Sequence, residues 1–354
     1  MRRERITLTV LTAALLGIPL SAPAAGQAPP AGSTAVRPGG MNAEPSMRPW
    51  RFQGANPDGW WCRRGACHGV ADGTAFIDRE LPLIAALGVA ILRLEFPWPL
   101  IEPRRGAFDW RRSDAIIRKA RRARVQVQPV LVYTPRWAAR GQTDPPSARD
   151  FGRFVRAFAT RYRRAIHYYE LWNEPDLARY WNATQRKYVT NILVPGYRAV
   201  KARDRSARVV VGPSYAKADW LHGLYQLGGG KFFDVVAHHD YSGDGRLVVE
   251  NARVVRRVLD THGHGHKPVW IGEYGIQEAE LADVRQQALM REALTANAPI
   301  GLAAWYSLRD DFPMTCCPPR KVKSEYYGLL THEYVEKQGY ATMRQLLAGR
   351  RSRG

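Results

Sequence analysis

Beyond its N-terminus the sequence lacks any apolar run of 18 or more residues, which excludes a membrane-spanning helix from that part of the chain. Acidic residues are scarce, with 32 Asp and Glu against 53 Lys and Arg, so the formal net charge is +21. Such a charge favours anionic partners through long-range attraction but says nothing about the fold. We find no basic motif with the signature of a nucleic-acid-binding fold, and we therefore expect no nucleic-acid partner.

The composition is that of a globular protein, because 45% of the 354 residues are hydrophobic, 10% are aromatic and 24% are charged. This length suits either two domains of ordinary size or one α/β barrel of roughly 250 residues with extensions. No Gly-rich phosphate-binding loop follows the first candidate strand, which argues against an open dinucleotide-binding sheet.

The N-terminus has the three parts of a cleavable signal peptide. Arg2, Arg3 and Arg5 precede an apolar run over 6–16, and Ala22-Pro23-Ala24 supplies a small-residue cleavage site. The apolar run is too short for a stable membrane span. We therefore predict that residues 1–24 are removed on export and that the protein is secreted, periplasmic or held at the cell envelope. Residues 25–47, rich in Pro, Gly and Ala, predict a disordered linker, and 48–350 a single folded domain.

Cysteine is rare, and its four copies form two close pairs, Cys62 with Cys67 and Cys316 with Cys317. In an exported protein an even number predicts disulfide bonds, for which three connectivities are possible. Bonding between adjacent cysteines requires a strained ring, so local pairs and bridges between the two clusters both stay open. The spacing lacks the two-residue gaps of zinc ribbons, and we predict no metal site.

Short apolar β-rich runs alternate with helical patterns through the rest of the chain, which predicts βα units and a parallel sheet. Several runs are apolar without strict alternation, as expected for strands that are covered on both faces. Eight such strands in about 300 residues match an α/β protein with a single (β/α)8 TIM barrel. The candidate strands are 50–54, 89–95, 125–132, 167–172, 208–212, 232–238, 268–273 and 301–305.

Two glutamates stand where predicted strands open into loops. The fourth strand leads into Trp172-Asn173-Glu174-Pro175, and the seventh ends in Gly272-Glu273-Tyr274. Catalytic groups of (β/α)8 enzymes lie at the C-terminal ends of the strands. Cleavage of a glycosidic bond needs two carboxyl groups, one to protonate the leaving oxygen and one to act on the anomeric carbon.

Asn173-Glu174-Pro175 and, a hundred residues later, Glu273-Tyr274-Gly275 resemble the motifs of the clan A retaining glycoside hydrolases. The resemblance covers the chain from Trp50 to the last predicted helix. It implies that Glu174 is the general acid/base, that Glu273 is the nucleophile and that Asn173 holds the sugar 2-hydroxyl. It implies no cofactor.

The resemblance assigns four more residues to substrate binding or to the support of the nucleophile. Arg93 is similar to the second-strand arginine that orients the nucleophile and keeps it ionised. His239 and Tyr241 look like a His-x-Tyr motif, whose tyrosine hydrogen-bonds the nucleophile. Trp305 looks like the tryptophan platform under the cleaved sugar, which fits because aromatic faces stack on the apolar faces of pyranose rings.

The third strand runs into Tyr133-Thr134-Pro135-Arg136-Trp137-Ala138, which resembles the family of β-xylosidases and α-iduronidases (family 39) more than the cellulase-like family (family 5). This implies that Tyr133 and Trp137 contact substrate at the rim. Arg136 and Arg309 are candidates to bind sugar carboxylates.

Together these features predict an exported retaining O-glycosidase that hydrolyses an oligo- or polysaccharide, with anionic polymers among the possible substrates, by a two-glutamate double displacement. We expect a monomer that is at most peripheral to the envelope. Two alternatives stay open: an inactive carbohydrate-binding protein of the same fold, and a basic protein that binds anionic envelope polymers without cleaving them.

Overall fold

The computed structural model describes residues 39–42, 74–277, 284–310, 326–331 and 333–351. Eight parallel strands in these ranges follow one another in chain order and close into a barrel, which confirms the predicted (β/α)8 architecture. The strands are β1 Gly39–Asn42, β2 Ile91–Pro97, β3 Gln126–Val132, β4 Tyr168–Leu171, β5 Arg208–Val211, β6 Val235–Asp240, β7 Val269–Tyr274 and β8 Leu302–Tyr306.

Helices follow the strands and cover the outside of the barrel. They are α1 Thr74–Leu87, α2 Trp98–Ile101, α3 Arg111–Arg122, α4 Ala148–Tyr162, α5 Gln185–Tyr188, α6 Val194–Lys201, α7 Ala218–Gln226, α8 Gly245–Thr261, α9 Val284–Thr295 and α10 Gln338–Arg351. A π-helical turn, Val189–Leu193, joins α5 to α6, and a 3-10 turn, Gly229–Lys231, follows α7. Across the described ranges, no helix combines the length and apolar character needed to cross a membrane.

The start of the barrel differs from the prediction. Strand β1 lies inside the segment 25–47 that the sequence predicts as a linker, and it pairs with both β2 and β8. Glycine weakens a strand signal because it has no side chain to pack. At Gly40, however, an added Cβ would lie 2.9 Å from the Cβ of Ala304, so glycine permits the close approach that closes the barrel. The predicted strand at 50–54, the signal peptide and all four cysteines lie outside the described residues.

Helix α4 shows how the outer layer is attached to the barrel. It begins after Ser147, whose Oγ accepts a hydrogen bond from the backbone N–H of Asp150. Phe151, Phe154 and Phe158, at helical spacing, are fully buried against the strands. The strand interiors are equally apolar, so the polar groups described below stand out as exceptions at the C-terminal end of the barrel.

Candidate active site

Arg93 lies at the centre of a polar network in the barrel and is about 1% exposed. Its Nη1 donates to Glu273 Oε1 at 2.6 Å, and its Nε and Nη2 donate to the two carboxylate oxygens of Glu170, each at 2.7 Å. Nη2 also donates to Asn173 Oδ1 at 2.8 Å. One guanidinium therefore connects β2 with the ends of β4 and β7, as a planar fork of donors can.

Glu170 is a member of this network that the sequence analysis missed. It is fully buried on β4, where it accepts the bidentate pair from Arg93 and a third hydrogen bond from Gln128 Nε2 at 2.7 Å. These bonds satisfy a charge that would otherwise be costly to bury. A charged residue between Tyr169 and Leu171, inside an apolar strand, is the sequence signal that could have revealed it.

The two predicted catalytic carboxylates lie side by side. Glu174 and Glu273 are 4% and 5% exposed, and one oxygen of each lies within 4.8 Å of the other and of a ring nitrogen of His239. Retaining glycosidases hold their carboxyl groups about 5–5.5 Å apart, whereas inverting enzymes hold them roughly 6.5–9.5 Å apart. The two carboxylates are therefore close enough for both to contact the same bound group.

His239 on β6 faces both carboxylates. A shift in the pairing register between His238 and His239 aligns His239 with Glu273 on β7. Its Nδ1 lies 2.9 Å from Glu174 Oε1 and 3.5 Å from Glu273 Oε2. Burial lowers the pKa of His239, but the charge of Glu273 and the hydrogen bond to Glu174 outweigh it, so the pKa is raised above the ordinary 6.5.

Tyr241, directly after β6, binds the other oxygen of the candidate nucleophile. Its hydroxyl donates to Glu273 Oε2 at 2.5 Å. Burial raises the pKa of Tyr241 well above its ordinary value, and the negative charge of Glu273 raises it further. Tyr241 therefore remains a hydrogen-bond donor, and Glu273 has one oxygen on Arg93 and the other on Tyr241.

Three non-glycine residues at the ends of β3 and β4 have left-handed backbone conformations. Their φ angles are 67° at Tyr133, 77° at Trp172 and 41° at Glu174. L-residues seldom adopt these angles, and such backbone strain concentrates at functional sites. Trp172 packs against Phe151 and Trp181, whereas Glu174, two residues later, contacts His239.

The structure places Tyr133 and Trp137 beside the network, not within it. Tyr133 is 5% exposed, and its hydroxyl donates to Glu95 Oε1 at 3.0 Å. Trp137 is half-buried, and its indole N–H donates to the backbone carbonyl of Glu102 at 2.9 Å. Its ring packs edge-on against Trp98. Tyr133 thus bonds to β2 itself, whereas Trp137 joins the loop after β3 to the segment that follows β2.

Trp305 does not occupy the open position of a sugar platform. It is fully buried, its indole N–H donates to the Tyr327 carbonyl at 3.0 Å, and its ring meets Tyr274 edge-on. Successive residues of a strand face opposite sides, and it is Tyr306 that packs against Tyr241, with Tyr327 completing a three-tyrosine cluster. The structure thus corrects the expectation for Trp305, since tyrosines form the aromatic wall beside Glu273.

The arginines at the mouth are arranged differently from the expectation. Arg309 donates to Glu80 Oε1 at 3.1 Å and lies over the ring of Tyr334, so it supports the loop after β8. Arg136 is exposed. Arg179, which the sequence analysis missed, places Nη2 3.2 Å from Glu174 Oε2 while 68% of its side chain is exposed. A cation at the open side of the candidate acid/base therefore comes from the loop after β4.

Glu174, His239 and Glu273 present two oxygens and a nitrogen close enough to share a divalent cation. The guanidinium of Arg93, 2.6 Å from Glu273, would repel a cation bound there. These three residues are therefore poorly suited to hold a metal ion.

No protein-family model matches the sequence, and no curated protein matches it. Solved structures are similar in fold. A family 39 glycoside hydrolase from the gut symbiont Bacteroides cellulosilyticus WH2 shares 15% identity over 88% of this chain and 64% of its own, with a TM-score of 0.64. An exo-β-1,4-mannosidase from Opitutaceae bacterium strain TAV5 shares 18% identity over 93% of this chain and 62% of its own, with a TM-score of 0.66.

A GH5_18 protein from Streptomyces cattleya, solved in complex with GlcNAc, shares 16% identity over 91% of this chain and 82% of its own, with a TM-score of 0.66. The chain spans less than two thirds of the length of the family 39 enzyme and the mannosidase. These similarities establish that this chain shares its barrel fold with several glycoside hydrolases.

Proposed function

We propose that this protein is a retaining glycoside hydrolase in which Glu273 is the nucleophile and Glu174 is the general acid/base. The observation that carries the proposal is the pair of buried carboxylates at the ends of β4 and β7, within 4.8 Å of each other. Glu273 is fixed by Arg93 and Tyr241, whereas Glu174 contacts His239 and the exposed Arg179. The two carboxylates therefore have different surroundings, as their two roles require.

In the first step, an oxygen of Glu273 forms a bond to the anomeric carbon while the bond to the leaving oxygen breaks. Glu174 gives its proton to that oxygen, and a glycosyl ester of Glu273 results. In the second step, Glu174 takes a proton from water, the water oxygen attacks the same carbon, and the ester bond to Glu273 breaks. The groups present supply every proton and bond partner, and the reaction consumes one water.

The charge of the network favours the transition state. Glu170 and Glu273 are buried carboxylates that share the guanidinium of Arg93, while Glu174 carries the proton that it gives to the leaving oxygen. A glycosidic transition state develops positive charge on the sugar ring, and buried, fixed carboxylates stabilise such charge more than water does.

The stereochemistry of the first product tests the mechanism. We expect the released sugar to have the same anomeric configuration as the substrate, because two inversions at one carbon give net retention. Proton NMR of early hydrolysis of aryl β-mannosides, β-glucosides and β-xylosides would detect the first anomer before mutarotation. Initial formation of the opposite anomer would overturn the double displacement, and no turnover of any glycoside would favour an inactive sugar-binding protein.

Export is a separate part of the proposal, and it rests on the N-terminal sequence. We expect protein recovered from outside the cytoplasm to begin at Ala25 and to be about 2 Da lighter for each disulfide than the reduced chain. Intact-mass measurement with and without reductant checks both expectations. Retention of residues 1–24 in exported material would contradict the cleavage site, and an unchanged mass on reduction would show that the cysteines are free.

A further inference from the structure

A cleft of about 650 Å³ opens between α3 and α4 on the outside of the barrel. Five exposed arginines line it together with a single acidic residue, Asp114. We call it the basic cleft, and its arginines are Arg118, Arg121, Arg122, Arg161 and Arg164.

The basic cleft is separate from the candidate active site. Its five arginines lie in the second half of α3 and at or just beyond the end of α4, near the points from which the chain enters β3 and β4. In a (β/α)8 barrel these points lie at the N-terminal end of the strands, opposite the end that carries Glu174 and Glu273. A ligand in the basic cleft would therefore leave the active site accessible.

Among the described residues, most of the arginines in the basic cleft have no acidic partner. Asp114 is already engaged, since it accepts hydrogen bonds from Arg161 at 2.7 Å and from the Tyr162 hydroxyl at 2.8 Å. In the described part of the chain, Arg121, Arg122 and Arg164 form no ion pair. Like charges held this close repel one another, and a bound polyanion would relieve that repulsion.

We propose that the basic cleft binds an acidic polysaccharide, one that carries carboxylates as uronic acids do. Guanidinium groups pair with carboxylates in a bidentate manner, and the cleft is large enough for a few sugar units. The choice of a glycan rests on the proposed function, because an enzyme that cleaves glycans meets them as polymers. Nucleic acid is disfavoured because unpaired bases need aromatic stacking surfaces, and Tyr162, the one aromatic residue among those lining the cleft, is 5% exposed.

Direct binding of polygalacturonate tests the proposal. Binding is measured by titration calorimetry on the full-length protein carrying Glu273→Gln, so that the polymer stays intact whatever the activity of the site. Arg121→Gln/Arg122→Gln removes two charges from the basic cleft. Arg291→Gln/Arg344→Gln removes two exposed arginines from α9 and α10, neither of which lines the basic cleft, and serves as the charge-matched control.

We expect the cleft variant to bind polygalacturonate about tenfold more weakly and the control variant to bind within about twofold of the parent protein. Methyl-esterified polygalacturonate, which has the same backbone without the charge, should not bind, and added salt should weaken binding of the charged form. When Glu273 is left intact, the cleft variant and the control variant should hydrolyse small aryl glycosides at equal rates. Loss of turnover and loss of polymer binding are therefore distinguishable.

Two results would overturn the proposal. Equal weakening in the cleft and control variants would show that net charge, and not the cleft, holds the polymer. Tighter cleft-dependent binding of long-chain polyphosphate or single-stranded DNA than of polygalacturonate would show that the ligand is a phosphate polymer and not a glycan.

Discussion

Replacing Glu273 by alanine is expected to abolish turnover of every substrate, with a loss on the order of 10⁴-fold or more in kcat/KM. Without this carboxylate no bond to the anomeric carbon can form in the first step, whatever the leaving group. The measurement is kcat/KM for a series of aryl glycosides whose phenols differ in acidity.

Replacing Glu174 by alanine should give a different pattern on the same series. General acid catalysis contributes about 10²–10⁴-fold to the rate. Acidic phenols leave without protonation, so the variant should retain most of its first-step rate on substrates that carry them. Azide can then replace the water that Glu174 no longer activates, so a glycosyl azide of retained configuration should accumulate. Glu250→Ala, which removes an exposed carboxylate from α8, should change neither rate and is the control. Equal losses in both variants across the series, with no effect of azide, would show that the roles are misassigned.

Replacing Arg93 by methionine should lower the free energy of unfolding by about 3–5 kcal/mol, because it leaves Glu170 and Glu273 buried without their shared cation. Activity should fall with it, since the nucleophile loses its fixed position. Arg93→Lys should restore little of the stability or the activity. An ammonium cannot provide the planar fork that contacts Glu170, Asn173 and Glu273 together. Urea unfolding and aryl glycoside turnover are the two measurements.

A second substitution separates stability from catalysis in this network. Arg93→Met/Glu170→Met removes one of the stranded charges and should recover part of the stability but none of the activity. Arg257→Gln breaks an exposed ion pair with Glu250 and should cost no more than about 1 kcal/mol. If Arg93→Met were as mild as Arg257→Gln, the buried network would not be the support that the geometry indicates.

The sequence predicts the regular part of this fold well, and the limits have physical causes. Helices α3 and α4 each have a clear apolar face at helical spacing, which is why the alternation of helical and β-rich runs is visible in the sequence. Strand β1 escapes prediction, since Gly39 and Gly40 form a strand only when the neighbouring strands are in place. Local patterns carry no information about that pairing.

The candidate active site likewise contains residues that the sequence reveals and residues that it does not. Glu174 and Glu273 are evident because each ends a strand in a recognisable motif. Glu170 is hidden, since its role depends on Arg93 from a strand 77 residues away. Arg179 lies in an irregular loop, where neither periodicity nor motif indicates that it contacts Glu174.

The anchoring of the polar network in the strands has a consequence for how such a protein can diverge. Arg93, Glu170, His239 and Glu273 belong to β2, β4, β6 and β7, so the barrel itself fixes the geometry of the reacting groups. Residues such as Trp137 and Arg179 lie on the loops after β3 and β4, and changes there leave the strands undisturbed. Under the proposed function, substitution and insertion in the loops can therefore alter which glycan is accepted while the chemistry persists, and new specificities can arise without first losing the reaction.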